Sequence, residues 1–212
     1  MSAIATPPKK KRRVTLPVID VPQGQRVVQF YSKSKENTEP VTMGGHSNWR
    51  RYISNFQHVP QRNISYDGKL FPSIEHVFAY VKYKYSTGSE GAIPPNFESD
   101  QPLGNKNNIK CEHSRAGMKK HGFAMDVQRF ENEKERLMRE FISKRAEVDP
   151  EFREILLSIA RQNLYLLHFA RGGGGGWGGY QSKQDQKYYG RNLLGKLMME
   201  WASNHLQPAL KF

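Results

Sequence analysis

The chain alternates short apolar runs with polar stretches, and the spacing inside each run predicts its element. Val27-Val28-Gln29-Phe30-Tyr31 is short, β-branched and aromatic, the pattern of a strand. The polar, glycine-containing stretch 32–50 follows as a loop. From Ile64 to Phe71 an Asp67-Gly68 turn sits between apolar positions, a hairpin signal. Pro72-Ser73 then opens a helix over about 73–85, with Ser73 as N-cap and Glu75 in the first turn, where the helix dipole favours an anion. Residues 86–110, with Pro94-Pro95, Pro102 and several Gly and Asn, read as a long polar insertion. A short helix is expected over 113–121. A longer one over 126–146 carries the stripe Val127, Phe130, Leu137, Met138, Phe141 and Ile142. Asp149-Pro150 starts a helix through 161, with Phe152, Ile155, Leu156 and Ile159 on one face. Tyr165–Phe169 reads as a buried strand and 171–179 as a glycine loop. A last helix over 190–205 shows Leu193, Leu194, Leu197, Met198 and Trp201 on one face. The sum is a helix-rich α+β fold with few short strands and five or so helices.

Composition narrows the picture. The 212 residues suit one domain, expected over 23–212, that buries a core without staples. The 24 aromatics argue for a folded chain. A single cysteine, Cys111, excludes an intramolecular disulfide framework and a CxxC-type zinc site; beside Lys110 alone it reads as inert. No apolar run is long enough to span a membrane, and no apolar segment follows the N-terminal charges as in a secretory signal. The expectation is a protein of the nucleus, the cytoplasm or both, not secreted and without a membrane partner.

The formal charge is +13, and Lys9, Lys10, Lys11, Arg12 and Arg13 supply +5 of it with no acid in residues 1–16. The body therefore keeps +8. Residues 1–22 read as a disordered basic tail whose PPKKKRRV segment is a candidate import signal, with an import receptor as partner. A solvated charged terminus is the plainer alternative.

Three segments can carry chemistry. In FPSIEHVFAYVKY (Phe71–Tyr83), Glu75 and Lys82 lie seven residues apart on one helix face, about 10 Å along the axis. A carboxylate and an amine on a partly apolar face suit acid/base or nucleophilic work, because burial moves both toward neutrality; an exposed helix with surface charges has the same spacing. In Gly172–Gly179, glycines let backbone approach a ligand, Trp177 can stack on a base or sugar, and Arg171 can meet a phosphate. A flexible linker is the competing reading, and the loop lacks the Lys-Ser/Thr ending of a P-loop. Ser54-Asn55-Phe56 follows Trp49, Arg50, Arg51 and Tyr52, a mixture that suits nucleotide contact and also ordinary surfaces. The seven histidines show no ligand spacing, so no metal is expected, and His168 in its apolar strand reads as a core histidine.

Taken in order, these motifs resemble the NADAR family, also called YbiA-like. VQFY (Val28–Tyr31), ISNF (Ile53–Phe56), DGKLFPSIEHVFAYVKY (Asp67–Tyr83), WGG (Trp177–Gly179) and GRNLLGKLMME (Gly190–Glu200) are similar to its successive motifs and span about 28–205. The resemblance implies a YbiA-like fold and an N-glycosidase needing neither metal nor cofactor. It implies catalytic Glu75 and Lys82, and substrate-binding Asn55, Trp177, Gly178 and Asn192; Tyr31, Phe56 and Arg171 are further candidates for substrate binding. Two positions depart from the family. Gly174 stands where members usually have Asp, with Asp185 as a candidate replacement, and Phe130 stands in a segment where they have tryptophan.

Breaking a ribosyl C–N bond passes through an oxocarbenium-like state, which a carboxylate such as Glu75 stabilises unless it serves as the acid/base. Lys82 would bind a phosphate or attack an opened sugar's aldehyde carbon as a Schiff base. The favoured substrate is ADP-ribosylated guanine in nucleic acid, a polyanion that suits the basic chain. The alternatives are an N-glycosidase for ribosylamino intermediates of riboflavin synthesis, and a non-enzymatic module that binds ADP-ribose or nucleic acid.

Overall fold

The computed structural model describes residues 15–34, 43, 45–58, 61–88, 114–170 and 176–206. The basic run Lys9–Arg13, Cys111, most of the 86–110 insertion, Arg171 and Gly174 lie outside these residues. The elements run β1 (Arg26–Phe30), α1 (Trp49–Tyr52), β2 (Ile64–Tyr66), β3 (Lys69–Phe71), α2 (Ile74–Lys84), β4 (Ser86–Gly88), α3 (Arg115–Lys120), β5 (Phe123–Met125), α4 (Val127–Val148), α5 (Pro150–Arg161), β6 (Leu164–His168), β7 (Gly179–Gln181), β8 (Tyr188–Gly190) and α6 (Leu193–His205). This is a helix-rich α+β fold whose strands pair in twos: β1 with β6 in parallel, and β2–β3, β4–β5 and β7–β8 antiparallel.

Local chemistry sets the boundaries. Asp67 and Gly68 take φ of 53° and 70°, as a tight hairpin between β2 and β3 requires. The Asp67 carboxylate accepts from Tyr80 Oη at 2.6 Å and Lys84 Nζ at 2.8 Å, which ties the hairpin to α2. Ser73, Asp126 and Asp149 cap α2, α4 and α5 by accepting from the amides of His76, Arg129 and Phe152. These bonds satisfy donors that a helix N-terminus leaves orphaned.

The main core joins α2, α4, α5 and α6. α4 contributes Phe130, Leu137, Met138, Phe141 and Ile142, all buried, against Phe78 and Val81 of α2 and Leu197 and Met198 of α6. Val127, expected in that stripe, is 41% exposed. The first turn of α4, Val127 to Arg129, is solvent-facing, and apolar contact begins at Phe130.

Three segments differ from the sequence expectation. Ser86–Gly88, expected in a loop, is β4. The β7–β8 hairpin arises from glycine- and glutamine-rich sequence with no alternating pattern. These short strands are held by backbone pairing, which leaves no periodic signature. Residues 17–22, expected in the tail, pack on the fold. Ile19 N donates to Tyr188 O at 2.8 Å and Gly190 N to Pro17 O at 2.9 Å, with Ile19 buried against Tyr165 and Leu167.

β6 has β1 on one edge only. On the other edge Asn192 stands in for a strand: its Oδ1 accepts from His168 N at 2.9 Å and its Nδ2 donates to Leu166 O at 2.8 Å. α6 can come this close only because residue 195 is glycine, where a Cβ would lie 2.2 Å from Leu166 O.

A buried ion pair closes the α4–α5 corner. Arg145 Nε lies 3.5 Å from Asp149 Oδ2, both side chains almost fully buried. Asp149 also accepts from Tyr52 Oη at 2.8 Å and Arg62 at 2.9 Å. Burial lowers the Arg145 guanidinium to about 10, against the opposing pull of Asp149.

Two outcomes are expected. Asp149→Ala removes the cap and strands a buried guanidinium, so urea unfolding should show a loss of about 3–5 kcal/mol. His76 is buried, and desolvation, with a smaller contribution from His58, lowers it from 6.5 to about 4. The unfolded chain therefore takes up the proton first as pH falls, and stability should drop between pH 6.5 and 4 by on the order of 3 kcal/mol. His76→Gln should flatten that part of the pH–stability curve.

Candidate active site

The loop after α1 and the start of α2 meet through one backbone bond, Glu75 N to Asn55 O at 2.9 Å. This places the Ser54–Phe56 segment beside the first turn of α2. Two turns further along α2, Lys82 projects from the same face. Together these groups open into a cavity of about 640 Å³, lined also by Tyr31, Ser32 and Lys33 after β1, Phe78, Met138, His168, Phe169, Ala170, Trp177 and Leu194. The size is that of a small-molecule site.

The loop is held from behind. Arg145 donates to Ser54 O at 3.0 Å and Tyr52 O at 2.8 Å, so the buried corner of α4 fixes the backbone that presents Asn55. Asn55 Nδ2 contacts Met138 Sδ at 3.8 Å. Asn55 Oδ1 and Ser54 Oγ are buried and lack a hydrogen-bond partner among the described residues. An unpaired buried polar atom costs about 1–3 kcal/mol, so two such atoms at a cavity wall mark where a polar ligand repays the cost.

Lys82 stands over aromatic rings, its Nζ 5.4 Å from the Phe78 centroid and 5.7 Å from that of Phe130. Desolvation lowers its pKa, and the nearby Glu75 charge opposes this in part. The neutral amine is thereby more accessible than in a surface lysine. Phe130 sits behind Phe78, at 5.3 Å, in the core rather than on the cavity wall.

Trp177 stands edge-on to Phe78 at 5.4 Å, with Lys134 Nζ 5.7 Å over its ring. Its carbonyl accepts from Leu194 N at 3.1 Å and lies 3.3 Å from His168 Nδ1. Tyr31 and Phe169 pair at 5.3 Å in another part of the wall.

Of the residues singled out in the sequence, Tyr31, Asn55, Phe56, Glu75, Lys82 and Trp177 converge on the cavity. Three others do not. Asn192 is fully buried at a φ of 50°, with both ends of its amide committed to β6. Gly178 is a packing position: a Cβ there would lie 2.6 Å from His168 O. Asp185 sits on the exposed β7–β8 turn, where it accepts from Tyr189 Oη at 2.6 Å, so it does not supply a second cavity acid. Arg171 lies outside the described residues.

His168, the last residue of β6, packs its ring on the buried Phe30 and turns Nδ1 to the Trp177 carbonyl, as expected of a core histidine, and it also lines the cavity, which the apolar strand did not signal. The position at a strand end just before the glycine loop was the available signal. Phe78, Met138 and Leu194 belong to the core, and each also contributes to the wall.

Asn192→Ala should leave Leu166 O and His168 N unpaired and cost about 1–3 kcal/mol in urea unfolding. A binding defect with unchanged stability would contradict its structural role. No protein-family model, curated protein or solved structure matches the chain.

Proposed function

We propose that the protein is an N-glycosidase that hydrolyses a ribosyl C–N bond. The favoured substrate is ADP-ribose attached to guanine bases in nucleic acid, and the fold is of the YbiA-like kind. The observation that carries the reading is the convergence of Glu75 and Lys82 on one aromatic-walled cavity, beside two unpaired polar atoms. A sugar held there would give its hydroxyls to Ser54 and Asn55 and its flat groups to the rings.

Glu75, on the cavity wall, would stabilise positive charge developing at C1′ as the C–N bond lengthens. Lys82 has a separate capacity. Burial favours its neutral amine, which suits attack on the aldehyde carbon of an opened sugar more than charge pairing with a phosphate. The residual +8 of the body, and the run Lys9–Arg13 as an import signal, fit a polyanionic substrate in the nucleus. A ribosylamino intermediate of riboflavin synthesis would use the same cavity without needing that charge.

One observation favours a binding module instead: Glu75 is the only carboxylate among the described lining residues. The assay that separates the readings offers the protein ADP-ribosylated guanine DNA and the ribosylamino pyrimidine in parallel. Release of ADP-ribose from the first is expected. Tight binding without release would support the module, and turnover of the second alone would support the metabolite enzyme. Glu75→Gln and Lys82→Ala should each lower release by about 100-fold or more with unfolding curves unchanged. Full activity in both would sink the assignment. Borohydride trapping of a sugar on Lys82 reports the Schiff-base route.

A further inference from the structure

Glu75 and Lys82 leave one part of the reaction without a group to carry it. Ribosyl hydrolysis needs a water whose proton is removed as its oxygen bonds to C1′. Glu75 is occupied by charge stabilisation, and Lys82 lies over two rings. His168 remains.

The residue is fixed at three points. The backbone amide is held by Asn192 Oδ1 at 2.9 Å, the ring packs on Phe30 at 5.1 Å, and Nδ1 faces the Trp177 carbonyl at 3.3 Å. A carbonyl only accepts, so Nδ1 carries the proton and Nε2 carries the lone pair. With Nδ1 turned to the Trp177 backbone, Nε2 is the polar atom the ring can offer to the cavity it lines.

Resting on the N-glycosidase reading, we propose that His168 is the general base of this site, with Nε2 accepting a proton from the water that attacks C1′. The balance is complete. The water oxygen bonds to C1′ and the C1′–N bond breaks, its electron pair leaving on the base nitrogen. That nitrogen takes a proton from solvent. The water's other proton passes to Nε2, and the imidazolium then returns it to solvent. The neighbours are suited to this cycle. Desolvation lowers the His168 pKa, partly opposed by the bond to Trp177, so the neutral base persists below the usual histidine range. The charged groups facing this part of the cavity are Lys33 from the β1 side, Glu75 and Lys82 from α2, and the Lys134–Glu131 ion pair of α4 beside the Trp177 ring.

Two measurements test the assignment. In the wild-type protein, ¹⁵N-detected histidine NMR should show His168 neutral with the proton on Nδ1 at pH 7, titrating below 6.5. A proton on Nε2 would overturn the proposal without any substrate. In kinetics, His168→Ala should lower kcat by about 100- to 10,000-fold with KM changed little, and remove the acidic limb of the kcat/KM profile. Added imidazole should restore part of the rate. His168→Gln serves if the alanine variant does not fold, and if neither folds the NMR result decides. Activity within twofold of wild type with the acidic limb intact would overturn the role of His168 and leave the N-glycosidase reading standing. Wild-type protein that releases nothing from either substrate would overturn both.

Discussion

β6 has a strand on one edge and, on the other, side chains of the chain leading into and along α6, Asn192 above all with Met199 Sδ beside it, and the cavity depends on that substitution. A strand edge without partners must find them or expose its backbone to water. Asn192 supplies a donor and an acceptor with the spacing of a peptide unit, and it takes a left-handed φ to do so. One amide thus seats α6 against β6, places Leu194 on the wall and fixes the backbone of His168. Gly195 and Gly178 are the steric counterparts, each leaving room where a methyl group would collide with β6 backbone.

A contrast in polar bookkeeping follows. Around Asp149 every group is committed: Tyr52, Arg62, Arg145 and the Phe152 amide share one carboxylate. A few residues away, Ser54 Oγ and Asn55 Oδ1 have no hydrogen-bond partner among the described residues. Fully paired networks rigidify, and unpaired atoms beside a cavity are the places where a ligand contributes most. The protein thus sets its most rigid polar cluster directly behind its most receptive one.

Much of this was legible in the sequence, for stated physical reasons. The Asp67-Gly68 hairpin, the capping by Ser73 and Asp149, and the buried faces of α4, α5 and α6 each follow from local rules of φ, orphan amides and period 3.6. The common face of Glu75 and Lys82 followed from spacing alone. The role of Asn192 did not. An asparagine in a polar motif looks the same whether it binds a ligand or closes a strand edge, and only the tertiary approach of α6 decides. His168 is a second case: its apolar strand indicates the packing of its ring on Phe30, but not that the end of the strand also borders the cavity. Asp185 was placed by sequence proximity to the glycine loop, and the unpatterned β7–β8 hairpin carries it onto an exposed turn.

The grip of Arg145 on the carbonyls of Tyr52 and Ser54 reaches further than geometry. A surface loop normally opens on its own, at little free-energy cost. This one is stitched to the corner between α4 and α5, and it is stitched again to α2 through the amide of Glu75. Three carbonyls of the segment, those of Tyr52, Ser54 and Asn55, are thus anchored to helices, and the wall they form keeps its shape whether the cavity is empty or filled.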